Sequence, residues 1–409
     1  MSLSRRQFCQ RLSAVGAAMA PAFGPASARA LVQALQSDSH LGNLYPFVQK
    51  QADRSPLELS FLRSESRNLE RWQTRARAKV FEHLFYAPPS VSPSPELVRR
   101  TDKGDYVLEL LTFQTTPDLR VPAYVLIPKN AKLPAPGMVV LHDHGGFYVW
   151  GKEKVVALDN EHDALRAFKR EYYGGKSITT ELVRQGYVVI AIDMFYWGER
   201  RMLLADDPPA YRNGEKMTAE EITAFDRRSQ QSEQLVARSL LTAGITWAGV
   251  ILWDDIRTLD YLASRPEVDA RRLGCVGLSV GGYRSFLLAA LDRRIKVAVD
   301  VGWMTSYASQ ISRHIVNTVG LTFHIPGLYR YLDLPDLAAL IAPRAVLVIN
   351  GSRDPLFAPN GVEAAFTKIE RCYRKAGARD RQRCRLYDAP HQFNLEMQAE
   401  AWEWIRRWV

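Results

Sequence analysis

The stretch "RRLGCVGLSVGGYRSFLLAAL", Arg271 to Leu291, decides how the chain is read. An apolar run ends at Leu278, a serine follows, and an apolar helix-like segment begins at once. Gly277, Gly281 and Gly282 crowd around that one hydroxyl, although each interior glycine costs roughly 1 kcal/mol relative to alanine. A sharp strand-to-helix turn accounts for them. It strains the serine backbone, lifts Ser279 above the sheet, and makes side chains at Gly277 and Gly281 collide with neighbouring backbone. The turn also leaves the Val280 N–H at a helix N-terminus, where it can donate to a developing oxyanion. A glycine-rich turn with a spectator serine is the alternative, so partners elsewhere must decide.

Two such partners stand beyond later strands. Asp354 lies in "VLVINGSRDPLF", 75 residues after Ser279, and His391 lies in "YDAPHQFN", 37 residues further on. Serine is unreactive at its own pKa, so His391 would take its proton and return it to the leaving group. Asp354 would fix the histidine's tautomer and stabilise the imidazolium. Two rival acids are less well placed: Asp300 falls inside a strand, and Asp388 stands three residues before the histidine.

Working outward, "GMVVLHDHGG", "GYVVIAIDMF", "IKVAVDV", "AVLVINGS" and "RCRLYDA" read as strands separated by helices. Runs of Val and Ile without alternation predict a mostly parallel sheet covered on both faces. "YVLELLTFQT" and "RVPAYVLIP" predict an opening antiparallel pair. Residues 31–100 read as an N-terminal helical extension, carried by "LERWQTRARAKVFEHLF" and broken by "YAPPSVSPSP". A catalytic domain would then span 101–409. Within it, residues 202–245 form a Pro-rich loop and a charged helix, a cap insertion that segment 303–335 would complete.

The first thirty residues, "MSLSRRQFCQRLSAVGAAMAPAFGPASARA", carry Ser4-Arg5-Arg6-Gln7-Phe8, a mildly apolar stretch and Ala28-Arg29-Ala30. This is a twin-arginine signal pattern, and it predicts export to a periplasm or beyond, with the twin-arginine export machinery as a partner. Its apolar part is far short of the roughly 20 residues needed to span a bilayer. Removing it takes the formal net charge from +10 to +6. The remaining arginine pairs are scattered, which excludes a nucleic-acid stripe. Cys275 lies in an apolar strand, while an oxidising compartment would permit a Cys372–Cys384 bridge. His142 and His144 point to one strand face but have no evident third ligand, so no metal and no cofactor are expected.

On "LHDHGG" (Leu141–Gly146), "DMFYWGER" (Asp193–Arg200), "DDIRTLDYLASRPEVD" (Asp254–Asp269), "GLSVGG" (Gly277–Gly282), Asp354 and His391, the chain from Tyr106 to Val409 resembles the α/β-hydrolase superfamily. Within it the likeness is to dienelactone-hydrolase-like and acetyl-xylan-esterase-like bacterial proteins; the N-terminal helices lie outside it. The resemblance implies an α/β-hydrolase fold and a second oxyanion donor after the third strand, here the N–H of His144, Gly145 or Gly146. Dienelactone hydrolases proper carry cysteine as nucleophile, so Ser279 points to ordinary esters. Asp193 and "GER" are expected to form a structural ion-pair or hydrogen-bond set, with a substrate contact through Arg200 as the alternative. Trp150, Tyr196, Trp197 and Trp303, with Phe195, follow strand ends on the ligand face. They are candidate substrate-binding residues, with core packing as the alternative. The expected activity is a serine carboxylesterase acting on a small-molecule ester through an acyl-enzyme. An amidase or peptidase with the same triad, or a non-catalytic binding protein, are the rival readings; a haloalkane dehalogenase would carry Asp at the nucleophile.

Overall fold

The computed structural model describes residues 38–64, 68–318 and 320–409. The expected signal, residues 1–30, lies outside them. By its internal contacts the chain divides into a small unit, Met1–Arg54 with Ile311–Arg313, and a large unit, Ser55–Gln310 with His314–Val409. The small unit's described residues include helix α1 (Tyr45–Asp53), with a proline in its first turn, where a missing N–H leaves no bond unmade.

The large unit is built on nine strands: β1 (Glu96–Asp102), β2 (Tyr106–Gln114), β3 (Arg120–Pro128), β4 (Ala135–Leu141), β5 (Val188–Ile192), β6 (Val268–Leu278), β7 (Ile295–Val301), β8 (Ala345–Gly351) and β9 (Gln382–Tyr387). They form one sheet in the order β1-β2-β3-β5-β4-β6-β7-β8-β9. The first three pairings, β1–β2, β2–β3 and β3–β5, are antiparallel, and every pairing from β5 to β9 is parallel. Successive side chains alternate between the faces. Val139 of β4 joins one core, and Met138 and Val140 join the other. Helices α2 (Leu69–Leu84), α5 (Ala219–Thr242), α6 (Trp247–Ser264), α7 (Val280–Leu291) and α8 (Pro359–Lys375) contribute to the first core. Helices α3 (Asp163–Tyr173), α4 (Ile178–Arg184) and α9 (Leu395–Trp408) contribute to the second. With both faces covered, strands such as β5 are buried throughout, which is why their apolar runs do not alternate.

Helix α7 is buried along its whole length and still carries Arg284. Its guanidinium meets Asp255 of α6 through two bonds, Nη2 to Oδ1 at 2.6 Å and Nε to Oδ2 at 3.0 Å. A buried charge is tolerable only when it is paired and hydrogen-bonded, and the bidentate fork does both. Helix α5 opens with a capping box, Thr218 and Glu221 each satisfying the other's backbone N–H.

One expectation changes, and one open question is answered. The helical reading to residue 100 holds α2, but the segment ends in strand β1. Leu97 and Val98 are exposed, so burial periodicity gave no strand signal; pairing with β2, from Glu96 opposite Thr112 to Asp102 opposite Val107, makes the strand. Cys275, Cys372 and Cys384 are free thiols, and burial pushes the Cys372 pKa up to about 12. Among the described residues no single helix is long and apolar enough to cross a membrane.

Candidate active site

Ser279 joins β6 to α7 with φ +58° and ψ −124°, a backbone region that costs a non-glycine residue roughly 1–2 kcal/mol. Close packing on every side holds it there. The Ser279 N–H donates to the Val301 carbonyl at 2.6 Å, and its own carbonyl accepts from Tyr283 at 3.0 Å. A Cβ on Gly281 would overlap the Leu141 carbonyl oxygen, and one on Gly277 would overlap both that oxygen and the Gly281 backbone. One on Gly282 would run into the Asp300 carboxylate and the Val301 backbone. The three glycines thus let β4, β7 and α7 converge beneath one hydroxyl.

Asp354 follows β8 and His391 follows β9. His391 Nδ1 lies 2.6 Å from Asp354 Oδ2, while Asp354 Oδ1 accepts the Leu356 N–H at 2.9 Å. An ionised carboxylate only accepts, so Nδ1 carries the proton and the Nε2 lone pair is left to act as a base. Ser279, Val280 and His391 line one cavity of about 410 Å³. Neither rival acid bonds the histidine. Asp388 is exposed and paired with Arg353 at 2.8 Å. Asp300 is buried in β7 with no hydrogen-bond partner on either oxygen, and desolvation pushes its pKa up to about 8.

His144, Gly145 and Gly146 line the same cavity. The Gly146 N–H is already engaged, donating to His144 Nδ1 at 2.9 Å. The N–H groups of His144 and Gly145 have no hydrogen-bond partner among the described residues. Val280 opens α7, where its N–H has no intrahelical acceptor. Gly145 holds φ +60°, and a Cβ there would overlap the Asp143 carboxylate and the Phe168 ring. Both histidine rings of this loop are committed. His142 Nε2 accepts the Met194 N–H at 3.0 Å, with Nδ1 2.7 Å from the Asp143 carbonyl; His144 Nε2 lies 2.7 Å from Glu233 Oε1. Burial holds the His142 pKa well below its ordinary value.

Behind the loop, Asp193 and the Gly198–Arg200 segment form a polar set around the buried Lys152, with the Glu199 side chain exposed. Lys152 Nζ reaches Asp193 Oδ2 at 2.8 Å, Glu199 Oε1 at 2.6 Å and Glu153 Oε1 at 2.8 Å. These three carboxylates are close enough together to suggest a metal cradle, but the lysine ammonium occupies it. Burial opposes the charge on Lys152, yet the surrounding carboxylates more than offset it and hold the pKa well above its ordinary value. Arg200 is turned to Asp254 at 2.8 Å and does not line the cavity.

The aromatic candidates divide. Trp303 lines the cavity, beside Phe323. Trp150 packs against Phe147 and His162 and borders a different cleft, with Glu199 and Arg201. Tyr196 and Trp197 are core residues behind the cavity wall. The Tyr196 hydroxyl donates to the Ser229 carbonyl at 2.8 Å, and Trp197 Nε1 donates to the His144 carbonyl at 3.2 Å. Phe195 packs on Trp247. Position after a strand brings a ring to the ligand end of the sheet, but the following loops decide whether it is covered.

Helix α5 supplies residues that the sequence reading did not single out. Gln230 and Glu233 line the cavity. Asp226 accepts the Tyr148 N–H at 2.7 Å, and the Tyr148 hydroxyl donates to Glu233 Oε1 at 2.8 Å. Asp226, Ser229, Gln230 and Glu233 recur at helical spacing, a polar stripe that in sequence is indistinguishable from a solvated face.

A family profile described as the Abhydrolase family matches residues 23–402, so the match takes in the N-terminal helices as well. YtaP of Bacillus subtilis (strain 168), a hydrolase by name, is 27% identical over 333 residues, covering 81% of this chain and 98% of its own. Among solved structures, one titled an acetyl xylan esterase from Bacteroides fragilis NCTC 9343 aligns with a TM-score of 0.64 at 19% identity, over 86% of this chain and 84% of that one. A glucuronoyl esterase from Solibacter usitatus aligns with a TM-score of 0.54 at 14% identity, over 82% of this chain and 93% of that one.

Proposed function

The chain belongs to the abhydrolase family, and on that premise we propose that it is a serine carboxylesterase. The observation that carries the reading is the His391–Asp354 bond at 2.6 Å, set on the same cavity as a serine held at positive φ. The Ser279 hydroxyl gives its proton to His391 Nε2 as Oγ bonds to the ester carbonyl carbon. The carbonyl electrons move to oxygen, where Val280 N–H and the N–H of Gly145 or His144 receive the charge. Collapse breaks the carbon–alkoxide bond, and His391 returns the proton to the departing alcohol. Water then repeats the sequence on the acyl-enzyme with His391 as base, releasing the acid and restoring Ser279.

Esterase titles among the structural neighbours support an ester over an amide. The wall of the cavity carries Trp303, Phe323 and Leu356 together with the polar Gln230, suiting a substrate with one apolar and one polar end. The twin-arginine pattern of residues 4–8 supports action in a periplasm or outside the cell. The test is fluorophosphonate labelling of the mature protein beside Ser279→Ala, read by intact mass, with p-nitrophenyl ester and anilide turnover in parallel. A single adduct on the unmutated protein alone, with ester turnover falling about 10⁴–10⁶-fold in the variant, is expected. A folded protein that takes no adduct overturns the mechanism, and faster anilide than ester turnover makes it an amidase.

A further inference from the structure

Loop 142–148 is tied to helix α5 through His144. Gly146 N–H donates to His144 Nδ1 at 2.9 Å. A ring nitrogen that accepts carries no proton, so the neutral imidazole must carry its proton on Nε2. That N–H needs an acceptor, and Glu233 Oε1 lies 2.7 Å away. The same oxygen accepts the Tyr148 hydroxyl at 2.8 Å; that hydroxyl also stands 3.5 Å from Nε2, but its proton is committed to the carboxylate, so each contact is consistent with a proton on Nε2. Without the carboxylate, the other tautomer would be free to form, and its Nδ1–H would face the Gly146 N–H donor to donor. The turn that depends on this bond is left-handed at both glycines, φ +60° at Gly145 and +62° at Gly146.

We infer that Glu233 is a positioning residue for the oxyanion site. Through His144 it fixes the Gly145–Gly146 turn, and so aims the unpartnered N–H groups of His144 and Gly145 at the place where ester oxygen becomes charged. It acts through the imidazole and need not touch the reacting atoms. The grip is reinforced from the same helix, where Asp226 holds the Tyr148 N–H. The His144 carbonyl is meanwhile held by Lys154 Nζ at 2.9 Å and Trp197 Nε1 at 3.2 Å. The ring is therefore fixed at one end by the main chain and at the other by α5. Movement of α5 would be felt at the oxyanion donors before it was felt at Ser279.

This inference rests on the esterase reading, and its test separates the two. Fluorophosphonate labelling first shows that Ser279 is active; a protein that fails there fails as an esterase, whatever Glu233 does. In a labelling-competent protein, Glu233→Leu is expected to lower kcat on a p-nitrophenyl ester about 10–100-fold, part of what a complete oxyanion donor supplies, with KM nearly unchanged. An alkyl boronate that mimics the tetrahedral adduct should lose affinity in parallel. Glu233→Gln, whose amide oxygen still accepts from both His144 and Tyr148, should recover most of kcat. A purely structural role would lower the melting temperature and leave the ratio of boronate affinity to KM unmoved. A folded Glu233→Leu protein with unaltered kcat overturns the inference, as does a Gln variant no better than Leu. If the Leu variant does not fold, nitrogen-15 shifts of the histidine rings in the unmutated protein decide. The His144 signal must show Nε2 protonated and Nδ1 bare, and the reverse tautomer overturns the inference.

Discussion

The two halves of the candidate site are built on different physics. The elbow from Gly277 to Gly282 is contiguous in the chain and defined by steric exclusion: backbone from β4 and β7 lies where side chains would have to go. The loop from His142 to Tyr148 has one crowded glycine, Gly145, and is otherwise held by hydrogen bonds to groups far away in sequence, Glu233 lying 89 residues from His144. A steric requirement leaves glycines in the sequence at fixed spacing. A polar one leaves ordinary polar residues in a helix elsewhere, with nothing to mark them.

If that contrast is right, equivalent substitutions should have unequal effects on the two halves. Gly281→Ala drives a Cβ into the Leu141 carbonyl, where neither backbone can yield. It should cost about 4 kcal/mol or more and leave little folded protein. Gly146→Ala meets no atom within 4 Å and carries only the left-handed penalty of roughly 1–2 kcal/mol. It should fold, with a modestly lower melting temperature, and lose rate instead. Thermal melts and ester kinetics on both proteins check this; equal stability losses would break the distinction.

The ion pair under the elbow sharpens it further. Arg284→Met leaves the buried Asp255 carboxylate unpaired, which should cost about 3–5 kcal/mol. The double variant Arg284→Met with Asp255→Leu removes both charges and should regain most of that loss, because desolvation and attraction nearly cancel in a buried pair. Denaturant unfolding of the two single variants and the double variant closes the cycle. A double variant as unstable as the singles would mean that Arg284 packs the helix in some way other than through charge.

How much was legible follows the same division. Ser279, Asp354 and His391 could be proposed together from the sequence because each sits just beyond a strand and in an order that suits a catalytic set; the parallel sheet could be found because its strands are buried on both faces. The aromatic candidates divide for a physical reason. Trp197 and Trp303 both follow strands, but the Trp197 indole is turned under the loop to bond the His144 carbonyl, and no local pattern records that turn. Lys152 reads as one basic residue in "GKEKVV", though its ammonium joins three acids, two of them more than forty positions away. Strand β1 was missed because its partner, not its own pattern, makes it a strand.

Asp300 gives the most specific test of the steric half, with an effect that is small over any one pH unit. Its carboxyl lies against Gly282 with no bonding partner, and burial raises its pKa from 3.8 to about 8. Between those values the folded state holds a proton that the unfolded chain has released. The contribution is therefore fully present below pH 4 and is lost as pH rises toward 8, by about 1.4 kcal/mol per unit. Asp300→Asn has nearly the shape of the protonated acid and does not titrate. The two proteins should melt together at pH 4 and below, and the variant should gain steadily on the original as pH approaches 8. Parallel melting curves across that range would mean that the carboxylate is already ionised and satisfied, and that the ground beneath the elbow is polar. The glycines would then be making room for a charge as well as for backbone.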